Sequence, residues 1–246
     1  MQDADNLIGQ MVHDIRNELE TNILPFWKSK VLDDVNGGFT GEIRSDGQSV
    51  PNADKGLILN ARNLWSYASC CRFLKDSSLK PLADRAYQYI EAHFLDKDYG
   101  GAYWMLDAKG KPIDTSKKCY GQAFLIYGWV EYYRISRNTD ALQHAMELYR
   151  LLESKVKDPV YRGYTEAFDR DWSVNDGLRL SDKDMNEKKS MNNHLHVLEA
   201  YTQLFLETRD PDVGRSIADL LAVFKDHIID RERGHLRLFF TDDWLC

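Results

Sequence analysis

The chain of 246 residues has only four cysteines, Cys70, Cys71, Cys119 and Cys246, and none stands in a CxxC pair. Zinc sites and disulfide frameworks need spaced or paired cysteines, so neither is expected. Reduced thiols in a cytoplasmic protein fit the pattern. Basic runs are missing as well, and a net charge of −7 repels nucleic acid and anionic membranes alike. No apolar stretch is long enough to span a bilayer. The start, Met1-Gln2-Asp3-Ala4-Asp5, lacks both the basic n-region and the apolar stretch of a secretory signal. The expectation is a soluble, cytoplasmic protein with no nucleic-acid and no membrane partner.

Cofactor motifs are also missing. There is no GxGxxG after a strand, no P-loop, no HExxH and no GxSxG. The histidines of His194-Leu195-His196 are two apart, whereas a helix that clasps one metal ion places ligands four apart. Neither a metal nor a nucleotide cofactor is expected.

What the chain does have is a core and a period. Hydrophobic residues make up 43% of it, and aromatic residues are spread along its length. Four Gly-containing segments recur: Gly37-Gly38-Phe39-Thr40-Gly41, Gly100-Gly101-Ala102-Tyr103-Trp104, Arg162-Gly163-Tyr164-Thr165 and Arg233-Gly234-His235-Leu236. They stand roughly sixty to seventy residues apart, and the short alternating runs after them suit small β-hairpins. Between them lie helical patterns over 6–30, 55–74, 80–94, 116–136, 140–156, 189–208 and 212–229. In the first, Leu7, Met11, Ile15, Leu19 and Ile23 recur every four residues.

Segments 80–94 and 140–156 are apolar on one side only, as outer helices should be. Segments 116–136 and 189–208 are apolar on most sides yet carry Tyr, Gln, Asn and His near their starts. The solution is an all-α toroid, an inner ring within an outer ring, with a polar pocket at one end of the inner helices. Six such pairs would need roughly 360 to 420 residues, and about four periods are present. An incomplete (α/α)6 barrel is therefore expected: one domain over 1–246 missing about its last third, with 241–246 opening the next connection. Apolar faces exposed at the gap and poor stability would follow.

Three segments align as inner-helix starts: Asn60-Ala61-Arg62-Asn63-Leu64, Tyr120-Gly121-Gln122-Ala123-Phe124 and Asn192-Asn193-His194-Leu195-His196. Polar residues at equal depth around a ring converge on one pocket. Asn192, His196 and Glu199 share a helix face, whereas His194 lies about 200° round from His196. One histidine alone should serve the pocket, with Glu199 able to orient the His196 imidazole; a satisfied core histidine is the competing reading. Arg62 sits in an apolar helix, where a buried guanidinium requires an anionic or oxygen-rich partner. A structural ion pair competes with a functional role there. Tyr120 and Gln122 are weaker signals. Trp65, Tyr103 and Trp104 could stack on sugars, although most such aromatics are packing.

The run Met191-Asn192-Asn193-His194-Leu195-His196-Val197-Leu198-Glu199-Ala200-Tyr201-Thr202 closely resembles the segment typical of cellobiose 2-epimerases, which belong with the N-acylglucosamine 2-epimerases and aldose–ketose isomerases. Supporting matches are Asn60-Ala61-Arg62-Asn63-Leu64-Trp65, Tyr120-Gly121-Gln122-Ala123-Phe124 and Ser181-Asp182-Lys183-Asp184, in the expected order. The resemblance implies an (α/α)6 barrel without cofactor that inverts C2 of the reducing-end glucose of β-1,4-linked disaccharides. Cellobiose would become 4-O-β-glucosyl-mannose, with lactose and mannobiose as further candidate substrates. One histidine would remove the C2 proton and another would return a proton to the opposite face.

By motif match, Arg62, Tyr120, Asp184, Asn192 and His196 correspond to pocket residues. Arg62 would steady the enediolate, His196 would assist ring opening, and Asn192 and Asp184 would hold hydroxyls. The resemblance puts the two acid/base histidines beyond Cys246, so the chain as given is expected to have little or no activity. His227 and His235 do not match them.

Rival readings are an N-acylglucosamine 2-epimerase or mannose isomerase, an inverting glycoside hydrolase using Asp184 and Glu199, and a sugar-binding or scaffold protein without catalysis.

Overall fold

The computed structural model describes residues 2–175, 177 and 185–245. Each repeat runs turn, hairpin, inner helix and outer helix. The inner helices are α3 (Leu57–Leu74), α5 (Cys119–Ser136) and α7 (Met191–Thr208), packed side by side in that order. Each is backed by the outer helix that follows it: α4 (Lys80–Tyr89), α6 (Thr139–Lys155) and α8 (Pro211–Val223). α1 (Gln2–Glu18) and α2 (Leu24–Ser29), joined by a π turn, precede α3, and π turns also extend α4 and α8.

The inner helices run the same way, because their starts meet at one end (Arg62 to Tyr120) and their last turns at the other. There Arg72 pairs with the buried Glu131 at 2.6 Å, and Arg134 with Glu207 at 2.6 Å. Each inner helix ends on a basic residue in the left-handed region, Lys75, Arg137 or Arg209. The next residue, Asp76, Asn138 or Asp210, caps the following helix with its side chain. Such a cap satisfies otherwise orphaned N–H groups and makes a two-residue reversal workable. Inner and outer positions fall where the hydrophobic pattern put them.

The helix starts differ from expectation. Lys55, Lys117 and Lys189 are not helical; they open the two-residue strands β1 (Lys55–Gly56), β4 (Lys117–Lys118) and β6 (Lys189–Ser190). β1 pairs with β2 (Met105–Leu106), which pairs with β3 (Pro112–Asp114); β4 pairs with β5 (Ala167–Phe168); all pairings are antiparallel. Further along, β6 pairs with β9 (Phe239–Phe240), and β7 (Ile229–Asp230) with β8 (His235–Leu236), also antiparallel.

Charge explains the displacement. Each lysine is fully buried and pairs with the first acid of a glycine turn: Lys55 with Asp33 at 2.8 Å, Lys117 with Asp96 at 2.9 Å and Lys189 with Asp158 at 2.6 Å. An aromatic face covers each ammonium, Tyr89 at 4.8 Å, Tyr103 at 4.8 Å and Trp244 at 4.9 Å. Extending the backbone ahead of the helix lets the lysine reach back into the turn.

The turns need glycine. Gly101 and Gly163 have φ of +67° and +75°, and a Cβ there would stand 2.7 Å from Trp172 and 2.5 Å from Trp244.

Most of the core lies between the inner and outer helices. On α1 the first part of the predicted stripe stays uncovered: Leu7, Met11 and Ile15, with Ile8 and Val12 beside them, are all more than half exposed, whereas Leu19 packs against the core. After it, an apolar groove of about 680 Å³ runs between the π turn and α2 on one side and α3 on the other. Among the described residues no helix is long and apolar enough to cross a membrane.

Candidate active site

α3, α5 and α7 start in register, so Arg62, Phe124 and His196 stand at one level on three neighbouring helices. The Arg62 guanidinium lies 4.6 Å from the centre of the Phe124 ring, and the His196 ring lies 4.7 Å from that ring on the other helix. One turn nearer the helix starts, the Tyr120 hydroxyl accepts a 3.1 Å hydrogen bond from Arg62, and the Tyr120 ring meets His196 edge-on at 4.9 Å. On the other side of this level, Trp65 stacks on Tyr127 at 5.0 Å. Arg62, Tyr120 and His196 thus form one cluster.

His196 Nδ1 is 2.7 Å from a Glu199 carboxylate oxygen. A carboxylate only accepts, so Nδ1 carries a proton, and in the neutral ring Nε2 is left as an acceptor. Glu199 is exposed, and its charge adds to burial in pushing the Tyr127 phenol up to about 12. Asn192 is also exposed, one turn before His196 on the same face. Asp184 and the rest of its segment lie outside the described residues.

His194 points the other way. It is fully buried; its Nδ1 bonds the Ser190 carbonyl at 2.6 Å and its Nε2 accepts the Tyr164 N–H at 2.9 Å. Burial pushes its pKa down to about 4, which keeps it neutral. It is a strut between α7 and a hairpin.

Gln122 does the same work one repeat earlier, and the expectation that it faces the pocket is corrected. Its amide takes the Ala102 N–H and donates to the Ala102 carbonyl, both at 2.9 Å, because the turn backbone needs a partner there. Asn60, Asn63 and Asn193 are buried too.

The reading of Arg62 as a buried charge is likewise corrected. It is exposed, and among the described residues it has no carboxylate partner, only the Tyr120 hydroxyl and the Phe124 face. Water reaches the guanidinium, which removes the need for an anion. Tyr103 and Trp104 face Lys117 and Lys118, each at 4.8 Å.

Phe124 was missed as a site residue. The register that aligns Arg62 with His196 puts it between them, and that signal was available in the sequence. Among the described residues no cluster of His, Cys, Asp and Glu could hold a metal ion.

Comparison with known proteins bears on this arrangement. Residues 37–246 match the model of the N-acylglucosamine 2-epimerase family. The cellobiose 2-epimerase of Bacteroides fragilis is 42% identical over 231 residues, covering 94% of this chain and 59% of the relative. That of Dictyoglomus turgidum is 39% identical, covering 92% of this chain and 58% of the relative. The solved cellobiose 2-epimerase from Bacillus thermoamylovorans superposes with a TM-score of 0.92 at 38% identity, covering 96% of this chain and 61% of that one. The chain thus spans about three fifths of the length of the relatives it matches. The superposition extends over the inner and outer helices of an (α/α)6 barrel, including those that bring Arg62, Tyr120 and His196 together. With the match running from the first glycine turn to the end of the sequence, the chain belongs to the N-acylglucosamine 2-epimerase family.

Proposed function

We propose that the cluster of Arg62, Tyr120, Phe124 and His196 holds the reducing-end glucose of a β-1,4-linked disaccharide and takes part in inverting its C2, turning cellobiose into 4-O-β-glucosyl-mannose. The observation that carries this reading is the meeting of a guanidinium with no carboxylate partner among the described residues, a phenol and a carboxylate-held imidazole from three separate helices. Arg62, free of any described anion, suits an oxygen that becomes negative as the enediolate forms. Tyr120 accepts from Arg62 and keeps its own proton for a sugar oxygen. His196 Nε2 can take the proton of the anomeric hydroxyl as C1=O forms and the C1–O5 bond breaks, with the ring oxygen taking a proton from water; the aldehyde so formed acidifies C2–H. Asn192 and Asp184 would hold hydroxyls. Inversion also needs a base and an acid on opposite faces of C2; the described cluster holds one imidazole, and these groups are assigned outside it.

Cellobiose in D2O is the test, read by NMR for saturation transfer from the protein, deuterium at C2 and the products formed. Binding that is lost in Arg62→Met and His196→Ala is expected, and any turnover should yield C2-deuterated glucosyl-mannose. Release of free glucose would favour a hydrolase, and a preference for mannose or N-acetylmannosamine would favour the monosaccharide enzymes. Failure to bind any of these sugars sinks the reading.

A further inference from the structure

The glycine turns repeat four times, and the fourth differs from the others in one respect. At every turn the leading acid accepts two successive backbone N–H groups: Asp33 from Val35 and Asn36, Asp96 from Asp98 and Tyr99, Asp158 from Val160 and Tyr161, and Asp230 from Glu232 and Arg233. The second carboxylate oxygen of the first three takes a fully buried lysine at 2.8, 2.9 and 2.6 Å. Among the described residues that oxygen of Asp230 meets only Arg237, a half-exposed neighbour in the same hairpin, at a stretched 3.4 Å.

Cover differs in the same way. Six residues past the acid stand Phe39, Ala102 and Tyr164, exposed by 1% or less, whereas Leu236 in the fourth turn is 42% exposed. The backbone register is unchanged, since Arg237 N bonds the Ile228 carbonyl at 2.9 Å as Thr165 N bonds that of Val156 at 3.1 Å. In the second and third turns the outward N–H of Ala102 or Tyr164 is accepted by Gln122 or His194. Each of these stands five residues after the lysine that fills the same turn.

We infer that the Asp230 turn is a docking socket for a lysine-led helix: the inner helix of a fourth repeat of the same build, with its lysine two residues ahead of the helix and Asn, Gln or His five residues after that lysine. The ammonium would take the open Asp230 oxygen, and the amide or imidazole would take the N–H of Leu236. Leu236 and Leu238, both exposed, would meet the apolar start of the helix. Charge selects the occupant, since a nearly buried carboxylate with one distant cation favours a second, closer one. A second copy of this chain fits less well, because Lys55, Lys117 and Lys189 are each buried in their own turns. The aromatic lid does not repeat. His235 stands where Gly38, Gly101 and Gly163 lie under Tyr89, Trp172 and Trp244, so the socket selects the lysine and its helix but no ring.

The inference is independent of the sugar chemistry and is read by binding alone. A labelled synthetic peptide copying residues 187–208, which carries Lys189 and His194, is titrated with the intact chain at physiological salt, and binding is followed by fluorescence anisotropy. Saturable binding is expected, weakened about tenfold or more by Asp230→Asn in the chain and, separately, by Lys189→Met in the peptide, the worth of one charge-assisted contact. The peptide substitution leaves the fold of the chain untouched. Binding that survives either change, or no binding at all, overturns the assignment. So does a dimer of the chain alone that Asp230→Asn dissolves, since the socket would then be filled by a second copy.

Discussion

The buried lysines allow a comparison inside one molecule. Lys189 is fully buried against Asp158, and replacing it with Met removes the ammonium while keeping an apolar stem under Trp244. Asp158 would keep its two backbone N–H donors, which places the cost near the low end for a broken buried pair, about 3 kcal/mol. In a chain of this length that corresponds to a fall in Tm of roughly 6–12 °C. Lys117→Met should cost less, about 1–2 kcal/mol, because Asp96 keeps Arg170, bonded at 2.8 and 2.9 Å. Urea unfolding followed by fluorescence, with unchanged slopes, would measure both.

The difference should depend on pH. Burial works against ionising Asp158, but the hydrogen bond from Lys189 and two backbone N–H groups outweigh it and hold the carboxyl below the usual range. That stability is present above the unfolded value of about 3.9 and is lost as pH falls through the folded one. The gap between wild type and Lys189→Met should therefore close in acid. A Lys117→Met variant that costs as much as Lys189→Met, or a gap that persists below both carboxylate values, would refute the reasoning.

His194→Ala should cost about 2–3 kcal/mol by leaving the Tyr164 N–H without its acceptor, and His194→Gln should recover part of it, since Gln122 serves Ala102 in that way. Urea midpoints for the pair would show this. His144 has its pKa raised by the Glu91 carboxylate, 3.1 Å from its Nδ1, which outweighs burial. Its contribution is full below about pH 6.5 and lost as pH rises through the folded value, so the Tm advantage of wild type over His144→Gln should shrink between pH 6 and 8. Gly101→Ala should lower Tm sharply, because a Cβ 2.7 Å from Trp172 at φ +67° must displace the ring. In any assay where sugar turnover is seen, Glu199→Gln should slow it about tenfold while sugar binding persists, as measured by the split between kcat and KM.

The sequence by itself determined which segments are helices and which of them are inner. The periodicity that sets one-sided helices apart from those apolar all round is a local property, and burial follows it. It also brought out Arg62, Tyr120 and His196, because residues at equal depth on aligned repeats must meet if the helices form a ring. Asp184, named with them, lies outside the described residues.

Tertiary structure decided what each polar side chain faces. His194 and His196 are two residues apart, yet one braces a hairpin and the other packs against Tyr120 and Phe124 of the neighbouring inner helix, since a helix turns about 200° between them. Gln122 and Arg62 traded their expected settings for a related reason: whether a polar group is buried depends on which neighbouring backbone stands over it, and that backbone comes from another repeat. The buried lysines at 55, 117 and 189 were read only as parts of helices, because each meets its acid only after a whole hairpin has folded back over the start of the next helix.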